Sequence, residues 1–226
     1  MSAVFTDIYA SAPLRRLLAD EVRGLTPDLQ RCRGDHGLLV SAIEQDHLPA
    51  VPMLSCWTRL AVAGVHYGGD VAGRADEPLP FLDDAFELVV LRHALESAAE
   101  PAALLNEALR VLAPGGLIAV SGLHPFSLWM PWLAWRTRRQ PLRLHMPLQL
   151  GEWLRRRDMQ VECVRRLGPA WPLADGGVSL GDALGGGYVL TARKRRRAAT
   201  PLRLLPRPIR APADVRLAPG ARRNIA

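Results

Sequence analysis

The chain contains few cysteines and no long apolar run. Its three cysteines, Cys32, Cys56 and Cys163, are widely spaced and form no CxxC pair, which argues against a zinc site or a disulfide framework and for a reducing compartment. No stretch of roughly 18 or more apolar residues is present, so we expect no transmembrane helix. The N-terminal stretch lacks a charged start followed by an apolar core, and no secretory signal is predicted. We therefore expect a cytoplasmic protein without a metal site.

Acidic residues are almost absent from the end of the chain. Residues 194–226 contain ten Lys and Arg residues against Asp214 alone, a net charge of +9, whereas the whole chain carries +7 and residues 1–193 therefore carry −2. Residues 195–226 also contain five prolines and show no hydrophobic period, so they are predicted to form a disordered, basic, proline-rich tail. A solvated tail is the first interpretation, and contact with nucleic acid or anionic lipid is the alternative.

The most regular pattern of the chain lies between residues 79 and 120. Residues 86–91 form an apolar run typical of a strand that is buried on both faces. Pro101 opens a helix whose apolar side chains recur at helical spacing, and a Pro-Gly-Gly turn ends it before a second buried strand over 117–120. Strand, helix and strand in this order predict a right-handed crossover unit of an α/β sheet.

The motifs in this stretch resemble those of a known family. They read LPF-x-DD-x-FE-x-VV, then LE at 95–96, EP at 100–101 and E-x-x-RVL-x-PGG at 107–116. These motifs are similar to those of the class I S-adenosylmethionine-dependent methyltransferases, in particular the small-molecule enzymes of the methyltransferase type 11 group. The resemblance implies S-adenosylmethionine as cofactor and methyl transfer to a small-molecule acceptor.

The resemblance also implies a fold. Residues 1–194 are expected to form one α/β domain, a three-layer, doubly wound, mostly parallel Rossmann-like sheet. Its last strand, over 188–194, is expected to be antiparallel and inserted between the fifth strand and a sixth strand over 160–166. Apolar spacing predicts helices over 14–29 and 148–157, and glycines mark a weak third strand over 66–74.

Cofactor-binding candidates follow from positions in the family. We predict a first strand over 28–33, a turn containing Gly34 and Gly37, a helix over 38–47 and a second strand over 51–57. In the family, glycines in this turn let the backbone approach the cofactor. Gln30 stands where relatives have an acidic residue, and Ser55 is the candidate in place of the usual ribose-binding carboxylate.

Two further candidates lie nearer the motifs. Asp76 precedes the LPF segment and is predicted to contact the adenine amino group, with a solvated loop carboxylate as the alternative. His93 follows the fourth strand at its carboxyl end, where ligands of open α/β sheets bind. It is a candidate for cofactor contact and for a general base, and the alternative is a structural histidine. The sequence names no other catalytic residue.

Half of the six tryptophans, Trp129, Trp132 and Trp135, fall within seven residues. They are followed by Arg136, and further arginines stand at 138 and 139. One interpretation is a lid over an apolar acceptor in the substrate pocket. A second is a helix that lies on an anionic membrane surface, and a third is a short helix that packs its rings on the sheet. We expect the three rings at the substrate entrance.

The sequence leaves a second function open. An Asn-Pro-Pro-Tyr motif, typical of enzymes that methylate amino groups of nucleic acids, is absent after the fourth strand, where residues 91–94 read LRHA. The predicted second strand offers no carboxylate, and the turn after the first strand contains only two of the family's glycines, Gly34 and Gly37. The alternative to an enzyme is therefore an inactive methyltransferase-fold protein with a binding or regulatory role. Such a protein would contact nucleic acid or an anionic membrane through its tail.

Overall fold

The computed structural model describes residues 8–43, 46, 51, 54–74, 77–137, 142–172 and 184–196. The first compact unit of the chain is Met1–Arg196, and every described residue belongs to it. Asp76 and residues 197–226 lie outside the described residues. The disorder predicted for the tail therefore stays a prediction.

Eight strands form one mixed sheet. The strands are β1 (His36–Ser41), β2 (Cys56–Ala63), β3 (His66–Gly69), β4 (Gly73–Arg74), β5 (Phe86–Arg92), β6 (Leu112–Leu123), β7 (Met159–Leu167) and β8 (Gly187–Lys194), and the helices are α1 (Ala12–Leu29), α2 (Ala94–Ser97), α3 (Pro101–Val111), α4 (Met130–Arg136) and α5 (Pro147–Arg155). Their order in the sheet is β4-β3-β2-β1-β5-β6-β8-β7. Strands β2, β1, β5 and β6 are parallel, and β8 is antiparallel between β6 and β7. The predicted α/β fold class and the inserted last strand are confirmed.

Helices cover both faces of the sheet, because the central strands are apolar on both. Val89 and Leu91 of β5 pack on the side of α3 and α5. Leu88 and Val90 point to the other side, where Leu25 and other residues of α1 cover them. The result is three layers, as expected for a doubly wound sheet.

The β5–α3–β6 unit has the predicted order, and its motif residues have structural roles. Arg110 of α3 donates hydrogen bonds to the carbonyl oxygens of Leu79 and Phe81, both at 2.9 Å. Glu107 accepts a hydrogen bond from the Leu79 N–H at 2.9 Å, and the hydrogen bonds from Arg110 lower the pKa of its carboxyl. The Glu-x-x-Arg and LPF motifs are thus two halves of one contact that holds the loop before β5 on α3.

The first part of the sheet differs from the prediction. Residues 28 and 29 finish α1 rather than start a strand, and the first strand is β1 at His36–Ser41, which overlaps the start of the helix predicted over 38–47. The second strand begins at Cys56, where the predicted strand was expected to end. These assignments were wrong because β1 is buried on both faces, and an apolar run without alternation does not distinguish a strand from a helix.

No helix connects β2 to the next strand. Gly64, at φ +63°, opens a tight turn, and the chain returns as the antiparallel strand β3. Gly73 and Arg74 then pair with β3 as β4, so the weak third strand predicted over 66–74 is two short antiparallel strands. The carboxyl end of β2 is therefore a hairpin.

Candidate functional site

The sheet has a topological switch point between β1 and β5, where successive connections leave in opposite directions. Ligands of open α/β sheets bind outside the carboxyl ends of the strands at such a point. There, Ser41 of β1 lies opposite Arg92 of β5, and Arg92 lies opposite Ser121 of β6. His93 follows with a left-handed backbone (φ +52°). All four residues are buried, so this row forms the floor of the candidate site.

His93 lies between two carboxylates at this floor. Its Nε2 is 3.0 Å from Oε1 of Glu21 on α1, and its Nδ1 is 3.0 Å from Oε2 of Glu96 on α2. Tyr9 donates a hydrogen bond to Glu96 at 3.1 Å, and Ser121 donates one to Glu21 at 3.0 Å. We call these five residues the His93 cluster. Its hydrogen bonds link α1 and α2 to the carboxyl ends of β5 and β6.

The His93 cluster holds a charged imidazole. Burial disfavours the charged form and lowers the pKa of His93, but the two carboxylates of Glu21 and Glu96 outweigh burial and raise this pKa to about 10. Burial and the Glu96 carboxylate raise the pKa of Tyr9 well above its ordinary value. At neutral pH the cluster therefore contains an imidazolium and a neutral phenol.

A second set of contacts joins the loop after β1 to β5. Arg92 forms a salt bridge with Asp46 and donates a hydrogen bond to the Leu18 carbonyl oxygen at 2.7 Å. Ser41 donates a hydrogen bond to Asp46 at 2.8 Å. Nε of Arg92 lies 3.7 Å from Oε2 of Glu21, which connects this pair to the His93 cluster. Buried charges at the switch point are thus paired with one another, as the cost of burial demands.

Glu21 was not predicted from the sequence, although the sequence contained a signal for it. Leu14, Leu17, Glu21 and Leu25 lie on one face of α1, and all four are buried. A carboxylate on the apolar face of a helix needs a buried cationic or hydrogen-bonding partner. His93 is such a partner, but its distance in sequence left the pair unpredictable without the fold.

The structure corrects the role expected of His93. Its side chain is fully buried, with 0% of its surface exposed. Both ring nitrogens are bound to carboxylates, and the raised pKa keeps the ring protonated at neutral pH. With both ring nitrogens bound to carboxylates, neither is free in this arrangement to accept a proton from an acceptor or to contact a cofactor. This geometry favours the structural alternative for His93.

The structure also places Gly34, Gly37 and Ser55 away from the switch point. Gly34 and Gly37 lie at the amino end of β1, and Ser55 precedes the amino end of β2. A side chain at Gly34 would collide with Glu87, and one at Gly37 would collide with the Trp57 ring. Their expected position at the ligand-binding edge is wrong because the first strand begins after Gly34 rather than ending before it.

The three tryptophans of 129–135 have different environments. Trp129 is fully buried, and its indole N–H donates a hydrogen bond to the Pro169 carbonyl oxygen at 2.9 Å. Trp132 is partly buried and packs edge-on against Trp129, with 5.9 Å between ring centroids. Trp135 is 60% exposed. The expectation that all three rings lie at the entrance is therefore wrong for Trp129, which belongs to the core.

Within the described part of the chain, no group of three or more His, Cys, Asp or Glu side chains is arranged to hold a metal ion. None of the helices described there combines the length and apolar character needed to cross a bilayer.

Comparison with known proteins gives a family match over part of the chain and a shared fold. A family model described as "Methyltransferase domain" matches residues 52–120, which include β2 to β5, α3 and most of β6. Over this segment the chain is similar to the methyltransferase domain family, in agreement with the resemblance of its motifs to the class I S-adenosylmethionine-dependent methyltransferases. Comparison with curated protein sequences finds no match.

Solved structures of methyltransferases share the fold at low sequence identity. One is a methyltransferase from Thermotoga maritima described as a possible histamine N-methyltransferase, with TM-score 0.58 and 14% identity over 86% of this chain and 100% of that one. Another is a methyltransferase from Aquifex aeolicus, with TM-score 0.52 and 12% identity over 85% of this chain and 98% of that one. At identities this low, the similarity shows a shared fold alone.

S-adenosylmethionine is the cofactor that the methyltransferase-domain match implies. The described residues at the switch point do not by themselves form a site for it. Strand β1 ends at Ser41 and is followed by Ala42 rather than glycine, β2 ends in a hairpin without a carboxylate, and the charged side chains at the floor bind one another. Asp76 and parts of the loop after β1 lie outside the described residues, so we assign no chemical step to the cofactor.

Proposed function

We propose that this protein is an S-adenosylmethionine-dependent methyltransferase that acts on a small-molecule acceptor. The observation that supports this function best is the family match over residues 52–120, which falls on strands and a helix that have the order and topology of the fold. Methyl transfer depends mainly on positioning the acceptor against the sulfonium methyl group. The loss of His93 as a candidate base is therefore compatible with the proposal.

The surface beside the switch point favours an acceptor with an apolar part. Phe126 follows the carboxyl end of β6 and is 74% exposed, and Trp135 of α4 is 60% exposed. Small-molecule sites are lined mainly by apolar and aromatic side chains. Trp132 and Trp135 remain our candidates for acceptor contact, and Asp76 remains our candidate for contact with the cofactor.

A second function has its own support. The hairpin after β2, the lack of glycine after β1 and the paired charges of the switch point favour a protein that keeps the fold without catalysis. Such a protein would bind or regulate a partner, and its basic tail would contact nucleic acid or anionic lipid. This possibility makes cofactor binding the first property to measure.

Calorimetric titration of the full chain with S-adenosylmethionine and S-adenosylhomocysteine tests the proposal. We expect micromolar binding, and at a ligand concentration of about 100 Kd the free energy of unfolding should rise by roughly 2.7 kcal/mol. Asp76→Ala should weaken binding by roughly 1–3 kcal/mol through loss of a charged acceptor.

Asp70→Ala is a matched control for Asp76→Ala. Asp70 follows β3 and lies at the end of the sheet where the parallel strands begin, away from the switch point. Its substitution should therefore leave the affinity unchanged. No heat at millimolar ligand, in a chain that unfolds cooperatively, would contradict the enzyme proposal and support the non-catalytic function.

A further inference from the structure

Five large apolar side chains are exposed at the end of the sheet where the parallel strands have their carboxyl ends. They occur in three segments, 124–137, 166–172 and 184–187, and are Phe126, Leu128, Trp135, Trp171 and Leu184, with exposures between 47% and 74%. Segment 124–137 follows the carboxyl end of β6, and the other two flank the loop between β7 and β8. We call these five residues the apolar edge. Exposed apolar groups of this kind mark interaction sites in soluble proteins.

Hydrogen bonds hold the three segments together. Arg166 donates to the carbonyl oxygens of Phe126 at 3.0 Å and Gly185 at 2.9 Å. The Gly186 N–H donates to the carbonyl oxygen of Pro169 at 3.1 Å. The buried Trp129 indole donates to the same oxygen at 2.9 Å. The exposed side chains therefore project from a backbone fixed at several points.

The charge of these segments has one sign. Arg136 and Arg166 lie within them, and none of their residues is acidic. Farther along the chain the excess persists, since residues 138–151 contain three arginines and no Asp or Glu. The aspartates of the β7–β8 loop, Asp175 and Asp182, lie outside the described residues. An apolar surface bordered by arginines is complementary to an apolar layer that carries anionic groups at its surface.

We infer that the apolar edge binds the surface of an anionic lipid bilayer. Aromatic and leucine side chains insert at the boundary between headgroups and acyl chains, while arginine side chains contact lipid phosphates. This geometry suits peripheral attachment, with the carboxyl edge of the sheet against the lipid. Binding to lipid does not require methyl transfer, although Phe126 and Trp135 also support the apolar acceptor of the proposed function.

Vesicle partition of the full chain tests the inference. Vesicles containing phosphatidylglycerol should bind the protein more strongly than vesicles of phosphatidylcholine alone. Phe126→Ala and Trp135→Ala should each lower the partition by roughly tenfold or more, because each removes a large side chain from the lipid. Brominated lipids should quench tryptophan fluorescence, and Trp135→Phe should reduce that quenching.

Leu82→Ala is the matched control. Leu82 is 83% exposed, but it lies beside Asp83 in the loop before β5, at the amino-terminal end of the parallel strands. It should leave the partition unchanged. Equal binding to both kinds of vesicle overturns the inference, as does binding that Phe126→Ala and Trp135→Ala leave intact, which would place the contact on the basic tail. Binding to nucleic acid but not to vesicles also overturns it.

Discussion

At the scale of single residues, the most consequential feature is His93, held in a buried network. Glu21 and Glu96 bind its two ring nitrogens at 3.0 Å each. Removing one member of such a set leaves an uncompensated buried charge, which typically costs about 3–5 kcal/mol. The network therefore couples α1 and α2 to the central strands.

The raised pKa of His93 predicts a specific dependence of stability on pH. Since this pKa is about 10 in the folded chain and 6.5 ordinarily, the stabilisation is complete below about pH 6.5 and is lost as the pH rises through 10. His93→Asn, which tolerates the left-handed backbone, should therefore be much less stable than the native chain at pH 6.5. The difference should shrink at higher pH by up to roughly 1.4 kcal/mol per unit.

Urea denaturation at a series of pH values measures this difference. His66→Asn is the control, because His66 is exposed at the start of β3, and its effect should stay small throughout. A constant difference between native chain and His93→Asn from pH 6.5 to 10 would show that the native imidazole is not charged.

At the scale of helices and strands, the β5–α3–β6 unit was predictable from sequence. Its helix has an apolar face, a proline at its start and glycines after its end, and each of these signals is local. Residues 28–63 lacked such signals. Strand β1 is apolar on both faces, and the glycines at 34 and 37 support close packing with Glu87 and Trp57 rather than a turn after a strand. Their role depends on contacts distant in sequence, which no local pattern encodes.

The candidate site was predictable only in outline. The sequence indicated the edge of the sheet where the site lies, because ligands bind at the carboxyl ends of parallel strands. It did not indicate that Glu21 from α1 and Asp46 from the loop after β1 would neutralise His93 and Arg92 there. Pairing among buried charges arises from tertiary packing, and 72 residues separate Glu21 from His93.

The environments of Trp129 and Trp135 predict opposite effects of substitution. Trp129→Ala removes a fully buried ring and its hydrogen bond to Pro169, so the free energy of unfolding should fall by about 3–5 kcal/mol. Trp135→Ala changes a side chain that is mostly exposed and should stay within about 0.5 kcal/mol. Chemical denaturation of the two variants gives both values, and equal losses would contradict the assignment of Trp129 to the core.

At the scale of the whole molecule, charge is divided unequally along the chain. Residues 1–193 carry −2 and residues 194–226 carry +9. The first compact unit extends to Arg196, slightly beyond the boundary at 194 predicted from sequence, and the Arg195 N–H donates a hydrogen bond to the Asp158 carbonyl oxygen at 3.3 Å. We propose that residues 197–226 form a disordered tail that the first unit does not need for folding.

Truncation tests that proposal. A chain ending at Arg196 should keep its melting temperature within about 2 °C, because a segment that buries little contributes little to stability.

A chain ending at Ala192 is the control. It loses Lys194, whose ammonium group donates to the Leu109 carbonyl oxygen at 2.9 Å, and Arg193, which donates to the Gly115 carbonyl oxygen at 3.0 Å. Its melting temperature should fall by several degrees, since these contacts fasten β8 to the end of α3 and the start of β6. A comparable fall in the chain ending at Arg196 would mean that residues 197–226 contribute packing of their own, and the boundary would then have to be placed farther along the chain.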